Sequence, residues 1–362
     1  IFRSTNTYYN SKESEGEKYM IKSKNSIITQ GYKQRKNRLI GVTILLAALT
    51  LCLCTMMLIY GNTKYPLDVV IKVLSGENVK GATFAIETLR LPRMLCALLV
   101  GMAFGIAGNT FQTMLRNPLA SPDIIGVTSG SSVAAVFCIL MLGMSGPSVS
   151  IIAVISGLII AALIYLLSND VSFSGSRLIL IGIGIQAMLQ AVISFLLLKA
   201  TQYDVSGALR WLSGSLNGMT MKSVPSLFVV VVVFGTIIVL LTKYLQVLEL
   251  GDEFATTLGI RVNLVRVILV LSAVFLIAFA TATTGPIAFV AFLAGPIASK
   301  LVGKGSPNVI PSALVGALLV LASDMIGQFV FSTRFPVGVI TGILGAPYML
   351  FLLICVNKRG EV

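Results

Sequence analysis

Residues 225–246 read PSLFVVVVVFGTIIVLLTKYLQ, and no charged side chain falls between Lys222 and Lys243. Crossing the hydrocarbon of a bilayer takes about 20 consecutive apolar residues, and this stretch supplies them. Its apolar residues run on continuously and do not alternate with polar ones, which is not the pattern of a barrel strand. Only helices and closed barrels satisfy their backbone polar groups in lipid, so the stretch is predicted to be a transmembrane helix.

Runs of the same kind lie at 39–60, 93–111, 122–143, 149–168, 177–199, 264–282, 287–302, 310–328 and 337–355. With 225–246 they give ten expected spans and an all-α polytopic membrane bundle. Composition agrees. Of 362 residues, 56% are hydrophobic and 11% charged, where soluble domains carry roughly 25% charged residues. Folded proteins cannot hide that much apolar surface from water, so bilayer must be the solvent for much of it. No segment is long and polar enough for a second, soluble domain. The expected organisation is a polar basic cytoplasmic tail over 1–38, a transmembrane domain over 39–357 and a short cytoplasmic tail over 358–362.

The first 19 residues, IFRSTNTYYNSKESEGEKY, are polar and aperiodic and do not begin with methionine. Met20 precedes a short basic stretch and then the first apolar run, as the start of a membrane protein does. Glu15-Gly16-Glu17 can be encoded by a purine run containing GGAG, placed where a bacterial ribosome-binding site would sit before the Met20 codon. We therefore expect translation to begin at Met20, with residues 1–19 being upstream DNA read in frame; the alternative is a disordered tail.

Charge sets the orientation. Lys and Arg number 27 against 14 Asp and Glu, a net +13. Nine of those 27 lie in the first 38 residues, at the edge of the first span, where a membrane protein carries them on its cytoplasmic side. Tracing ten spans with the amino terminus inside puts 18 Lys and Arg inside and 9 outside. Both termini are thus expected in the cytoplasm, with membrane lipid as the partner of this charge and no nucleic acid. Cys52, Cys54, Cys96, Cys138 and Cys355 all fall inside apolar runs and read as small hydrophobes. The chain has no histidine, which excludes a His-ligated haem or metal centre; no metal site and no bound cofactor are expected.

Gly101 and Gly105, like Gly338 and Gly342, are four apart within apolar runs. Small residues at that spacing let helix backbones approach each other in lipid.

Three polar islands interrupt this pattern. The first begins at Leu89-Arg90-Leu91-Pro92-Arg93 and resumes after an apolar run at Gly108-Asn109-Thr110-Phe111-Gln112. Arg90 and Arg93 stand at the outer end of a span, against the positive-inside bias. Either they meet an anion outside the membrane or they bind lipid headgroups. The second island, Gln246–Val262, reads QVLELGDEFATTLGIRV. Gly251-Asp252-Glu253 resembles a helix start with acids at its positive end, and Gly259 follows Leu258 where a helix would stop. Such a short helix either docks into a partner's cleft or is an ordinary loop helix. Its small residues Ala255, Thr256 and Thr257 would let it lie close to a partner. The third island runs from Ser323-Asp324 to Arg334-Phe335-Pro336 and on to Pro347-Tyr348. Asp324 is an acid within an apolar run, either a functional group or one hydrogen-bonded to a neighbouring helix.

On these segments the chain resembles the FecCD-type permeases of binding-protein-dependent ABC importers for iron-siderophores, haem and cobalamin. The resemblance covers about residues 40–357 and stands on six collinear motifs: LRLPR at 89–93, GNTFQTMLRNPLASPDIIGVTSG at 108–130, RWLSGSLNG at 210–218, LGDEFATTLGI at 250–260, GPIAFVAFLAGPIASKLVG at 285–303 and RFPVGVITGILGAPYML at 334–350. It implies ten helices per subunit in the bacterial cytoplasmic membrane, and a second permease, two ATPase subunits carrying ATP and Mg, and an extracytoplasmic substrate-binding protein as partners. It implies ferric siderophore as cargo, with haem or cobalamin as alternatives. By the same resemblance Arg90 and Arg93 dock the binding protein, and Asn117, Leu119 and Ser176 form a cytoplasmic gate. Residues Gly251, Asp252, Glu253, Ala255, Thr256, Leu258 and Gly259 belong to the helix coupled to the ATPase.

Two departures stand out. Gly295-Pro296-Ile297-Ala298-Ser299 replaces the family's common Pro-His-Ile-Ala-Arg, and Gln328 stands where an arginine usually follows the ninth-span Asp. Arg334 is expected to substitute for that third docking arginine, and the divergence fits one half of a heterodimeric pair. The chain has no Gly-x-x-x-x-Gly-Lys-Ser/Thr loop, so it is expected to be a transport subunit and not an enzyme. The rival class, an ion-coupled secondary transporter, would show buried ionisable residues and broken helices related between two halves; Asp324 is its thin support.

Overall fold

A computed structural model describes residues 4–168, 175–200, 202–303 and 305–357, with side chains described from residue 30 onward apart from 124, 175, 202–204, 352, 353 and 355–357. The Cys355 side chain and the carboxyl-terminal tail at 358–362 lie outside this description.

Every regular element among the described residues is helical. In chain order these are α1 (Ser4–Ile59), α2 (Leu67–Leu74), a π-helical turn (Phe84–Arg90) running straight into α3 (Leu91–Met114), and a 3-10 turn (Pro122–Ile125) before α4 (Val127–Met141). Then come α5 (Pro147–Ser168), α6 (Gly175–Lys199), α7 (Gln202–Leu212), a 3-10 turn (Met221–Ser223) leading into α8 (Val224–Leu240), α9 (Thr242–Leu250) and α10 (Asp252–Thr257). The chain closes with α11 (Val262–Thr284), α12 (Val290–Val302), α13 (Val309–Phe329) and α14 (Val337–Asn357).

Each of the apolar runs read from the sequence is a helix. Among the described residues seven helices are long and apolar enough to cross a membrane, and three shorter apolar helices, Val127–Met141, Val290–Val302 and Val337–Phe351, accompany them. The boundaries move where the backbone demands it. Gly126, at φ 71°, separates the turn at 122–125 from α4, so that helix starts later than expected. Phe289, at φ 64°, delays α12 in the same way.

The core is built around α3, the most buried of the long apolar helices. It packs against α13, α11, α12 and α8. Gly101 and Gly105 meet α13 at Gly316 and Ser312, backbone against backbone: a Cβ on Gly101 would lie 2.5 Å from the Gly316 carbonyl oxygen. This is the close approach expected of small residues at that spacing in lipid. A second tie comes from Pro296, inside α12. It has no N–H, which leaves the Phe292 carbonyl without its helical donor. Gln112 of α3 donates its side-chain amide to that carbonyl at 2.9 Å. Within lipid an unpaired carbonyl is costly, so one glutamine both satisfies the break and pins α12 to α3.

Helix ends are treated similarly. Arg38 of α1 donates to the last carbonyls of α12, at Leu301 (2.9 Å) and Lys300 (3.2 Å). A cation there also complements the negative end of the helix dipole.

Candidate functional site

Two clusters of the polar residues singled out above lie at opposite ends of α3. At 24 residues α3 is about 36 Å long.

At its amino-terminal end a pocket of about 450 Å³ gathers Arg90, Arg93 and Arg334 with Asn62, Asn217 and Gln328. The fold brings together three arginines that lie up to 244 positions apart in the sequence, and each is held differently. Arg93 grips Asp324 of α13 through both nitrogens of one edge, Nε to Oδ2 at 2.8 Å and Nη2 to Oδ1 at 2.7 Å. Its remaining Nη1 donates to the Asn217 side-chain carbonyl at 2.8 Å. The Asp324 side chain is 1% exposed, and Gln328 also donates to it, at 2.7 Å. Arg93 therefore has an anion within the chain, Asp324. In this geometry Asp324 accepts from a neighbouring helix, α3.

Arg90 caps α1. Its Nη1 donates to the Leu58 and Ile59 carbonyls at 2.7 and 2.9 Å, its Nη2 donates to Thr63, and its guanidinium stacks 5.0 Å from the Tyr65 ring centroid. Leu58 and Ile59 end the helix, where carbonyls lack intrahelical donors; the Ile59 carbonyl also accepts the Tyr65 N–H at 3.2 Å. Arg334 lies in the α13–α14 connection, exposed, with Nη2 on the Asn62 side-chain oxygen at 2.7 Å.

At the other end of α3 the chain turns through Arg116-Asn117-Pro118-Leu119-Ala120. The Asn117 side chain accepts from the Leu119 N–H at 2.8 Å, a local turn that fixes both residues. Leu119 packs with Phe292 and Leu293 of α12. Ser176 is exposed in the first turn of α6, and residues 169–174, before that helix, lie outside the described residues. The turn at 122–125, which follows the 116–120 loop, packs against α6.

Beside this loop sits α10, bounded as the sequence indicated. Gly251 precedes it at φ 125°, Leu258 is its C-cap, and Gly259 follows at φ 78°. Asp252 and Glu253 occupy its first turn. Ala255 is fully buried within the chain, whereas Phe254 and Leu258 are 66% and 65% exposed and Glu253, Thr256 and Gly259 also face outward. Ala255 thus packs inward, and the outward face of α10 carries Phe254 and Leu258. Asp252 ties the helix down with ion pairs to Arg116 (2.9 Å) and to the buried Arg266 of α11 (2.8 Å). Neither pair was read from the sequence, since the three residues are far apart in it and none repeats with a helical period. Among the described residues no group of three or more His, Cys, Asp or Glu side chains could hold a metal ion.

Comparison with known proteins covers nearly the whole bundle. The sequence matches the FecCD transport family over residues 45–355. It is 37% identical over 291 residues to the ferric enterobactin transport system permease protein FepG of Escherichia coli (strain K12), covering 80% of this chain and 88% of that protein. It is 35% identical over 324 residues to the Fe(3+)-citrate import system permease protein YfmE of Bacillus subtilis (strain 168), covering 89% and 96%. The fold superposes with a TM-score of 0.76 and 27% identity on a solved chain described as a metal-chelate type ABC transporter in an inward-facing conformation, covering 87% of this chain and 99% of that one. The helical bundle, its helices apolar enough to cross a membrane and this coverage together make the chain an integral membrane protein of the FecCD transport family.

Proposed function

We propose that this chain is the permease subunit of a binding-protein-dependent importer that moves ferric siderophores inward across a bacterial cytoplasmic membrane. Two separate ATPase subunits, carrying ATP and Mg, drive it, and a second permease, in a heterodimer, completes the path. The ten apolar helices span the membrane with both termini in the cytoplasm. The observation that carries this reading is the two-ended layout of α3. An arginine-lined pocket stands at one end, and a glycine-bounded helix with outward Phe254 and Leu258 stands at the other, on a chain without a nucleotide-binding loop. The first end suits an acidic binding protein and the second suits a groove in an ATPase. The relatives' names point to ferric chelates as cargo. Asn117, Leu119 and Ser176 close the path at the α10 end.

Docking falls first on Arg334, because Arg90 and Arg93 are half-buried and engaged within the chain. Charged rims act mainly through encounter rate and register. Arg334→Glu is expected to weaken binding-protein affinity about tenfold and to flatten its salt dependence, with the melting temperature unchanged. Reversing the facing acid on the binding protein should restore part of the loss. Unaltered affinity in Arg334→Glu, measured by titration of the binding protein onto the reconstituted transporter, would remove this residue from docking.

A further inference from the structure

The α10 segment and the loop at Asn117 and Leu119 are separate in sequence and joined in space by one carboxylate. Asp252, the first residue of α10, accepts from Arg116 on one oxygen and from Arg266 on the other. Arg266 is buried on α11 and fixed, while Arg116 is nearly half exposed and stands at the start of the 116–120 loop.

Arg116 is also in an unusual backbone position. The end of α3 is a Schellman motif: the Asn117 N–H donates to the Gln112 carbonyl at 3.0 Å and the Arg116 N–H to the Thr113 carbonyl at 3.2 Å. That motif puts one residue in the left-handed region, usually glycine. Here it is Arg116, at φ 52°. A side chain in that region costs on the order of 1 kcal/mol that glycine would not incur. Glycine would make the better cap, so local geometry does not explain an arginine. Its side chain instead reaches Asp252.

We propose that the Arg116–Asp252 ion pair is the joint through which movement of α10 is delivered to the gate loop, with Arg266 holding the carboxylate in position. Arg116 and Asp252 act here as positioning residues. They touch neither cargo nor nucleotide, and they fix where Asn117 and Leu119 stand relative to α10. This rests on the reading of α10 as the segment that meets the ATPase.

The test uses the assembled transporter in lipid nanodiscs and proteoliposomes, with its ATPase subunits, second permease and binding protein. Arg116→Gly relieves the left-handed residue and removes the pair. Its melting temperature is expected to equal that of the wild type, while cargo moved per ATP hydrolysed falls about fivefold, the scale of a typical coupling between sites. Arg116→Lys, which keeps the charge, should stay close to wild type in that ratio. Asp252→Asn, which also removes the Arg266 pair, should lose at least as much as Arg116→Gly, and the double variant should be no worse than Asp252→Asn alone, because the Arg116 pair is already gone in it. A cysteine at Phe254 in the same preparations reports whether α10 meets the ATPase. Cross-linking to the ATPase together with wild-type cargo per ATP in Arg116→Gly would overturn the joint alone. Absence of any such cross-link would overturn the joint and the reading of α10 together.

Discussion

Arg93→Met is expected to lower stability by about 3–5 kcal/mol, the cost of leaving a buried charge without its partner. Asp324 is 1% exposed, and the variant would leave it only the Gln328 amide as a polar neighbour among the contacts described above. A buried carboxylate left without its counter-charge is strongly disfavoured. On a protein of this size the melting temperature should drop by about 5–10 °C, measured in lipid nanodiscs. Uptake should fall with it, because α3 and α13 lose the clamp that seals the arginine end of the bundle. The double variant Arg93→Met/Asp324→Leu removes both charges and should recover most of the stability, since buried pairs are often replaceable by apolar groups of similar volume. A docking arginine predicts the opposite pattern. If Arg93→Met melts like the wild type while binding-protein affinity collapses, the clamp is wrong and Arg93 belongs to the docking surface.

The second large effect is at α10. Phe254→Asp and Leu258→Asp are expected to leave the bundle intact, since both side chains are exposed, and to abolish ATP-driven uptake. An exposed apolar pair of this kind anchors binding when a partner covers it, and a charge buried there without a partner is strongly disfavoured. Loss of at least about a hundredfold in uptake is the expected scale for an anchor worth about 3 kcal/mol. Ala255 and Gly259 are poor probes by comparison. A tryptophan at Ala255 would overpack the chain's own interior, and any side chain at Gly259 meets its φ of 78°. Normal uptake in both aspartate variants would mean that α10 is an ordinary solvated turn.

Much of this architecture was legible in the sequence, for a definite reason. A continuous apolar run such as 225–246 has one stable outcome in lipid, and Gly101 with Gly105 announces a close helix crossing that α13 then supplies. The bounds of α10 were legible because Gly251 and Gly259 carry their own backbone signal. Its inward face was not. Six residues give too few turns for any period to show that Ala255 points in and Phe254 out. The pairing of Arg93 with Asp324, 231 positions apart, depends on the crossing of α3 and α13, which no local pattern encodes. The same holds for Asp252 and Arg116, 136 positions apart. Arg116 at a left-handed C-cap ran against the local rule that favours glycine, and only the Asp252 contact gives that choice a reason.

The most direct measurement is uptake of labelled ferric siderophore into proteoliposomes holding this chain, its second permease and the ATPase subunits. The expected result is accumulation that requires the binding protein on one face and ATP with Mg on the other, and that exceeds uptake of haem or cobalamin. Accumulation that persists without ATP and follows an imposed ion gradient would contradict it, and would make the chain a secondary transporter.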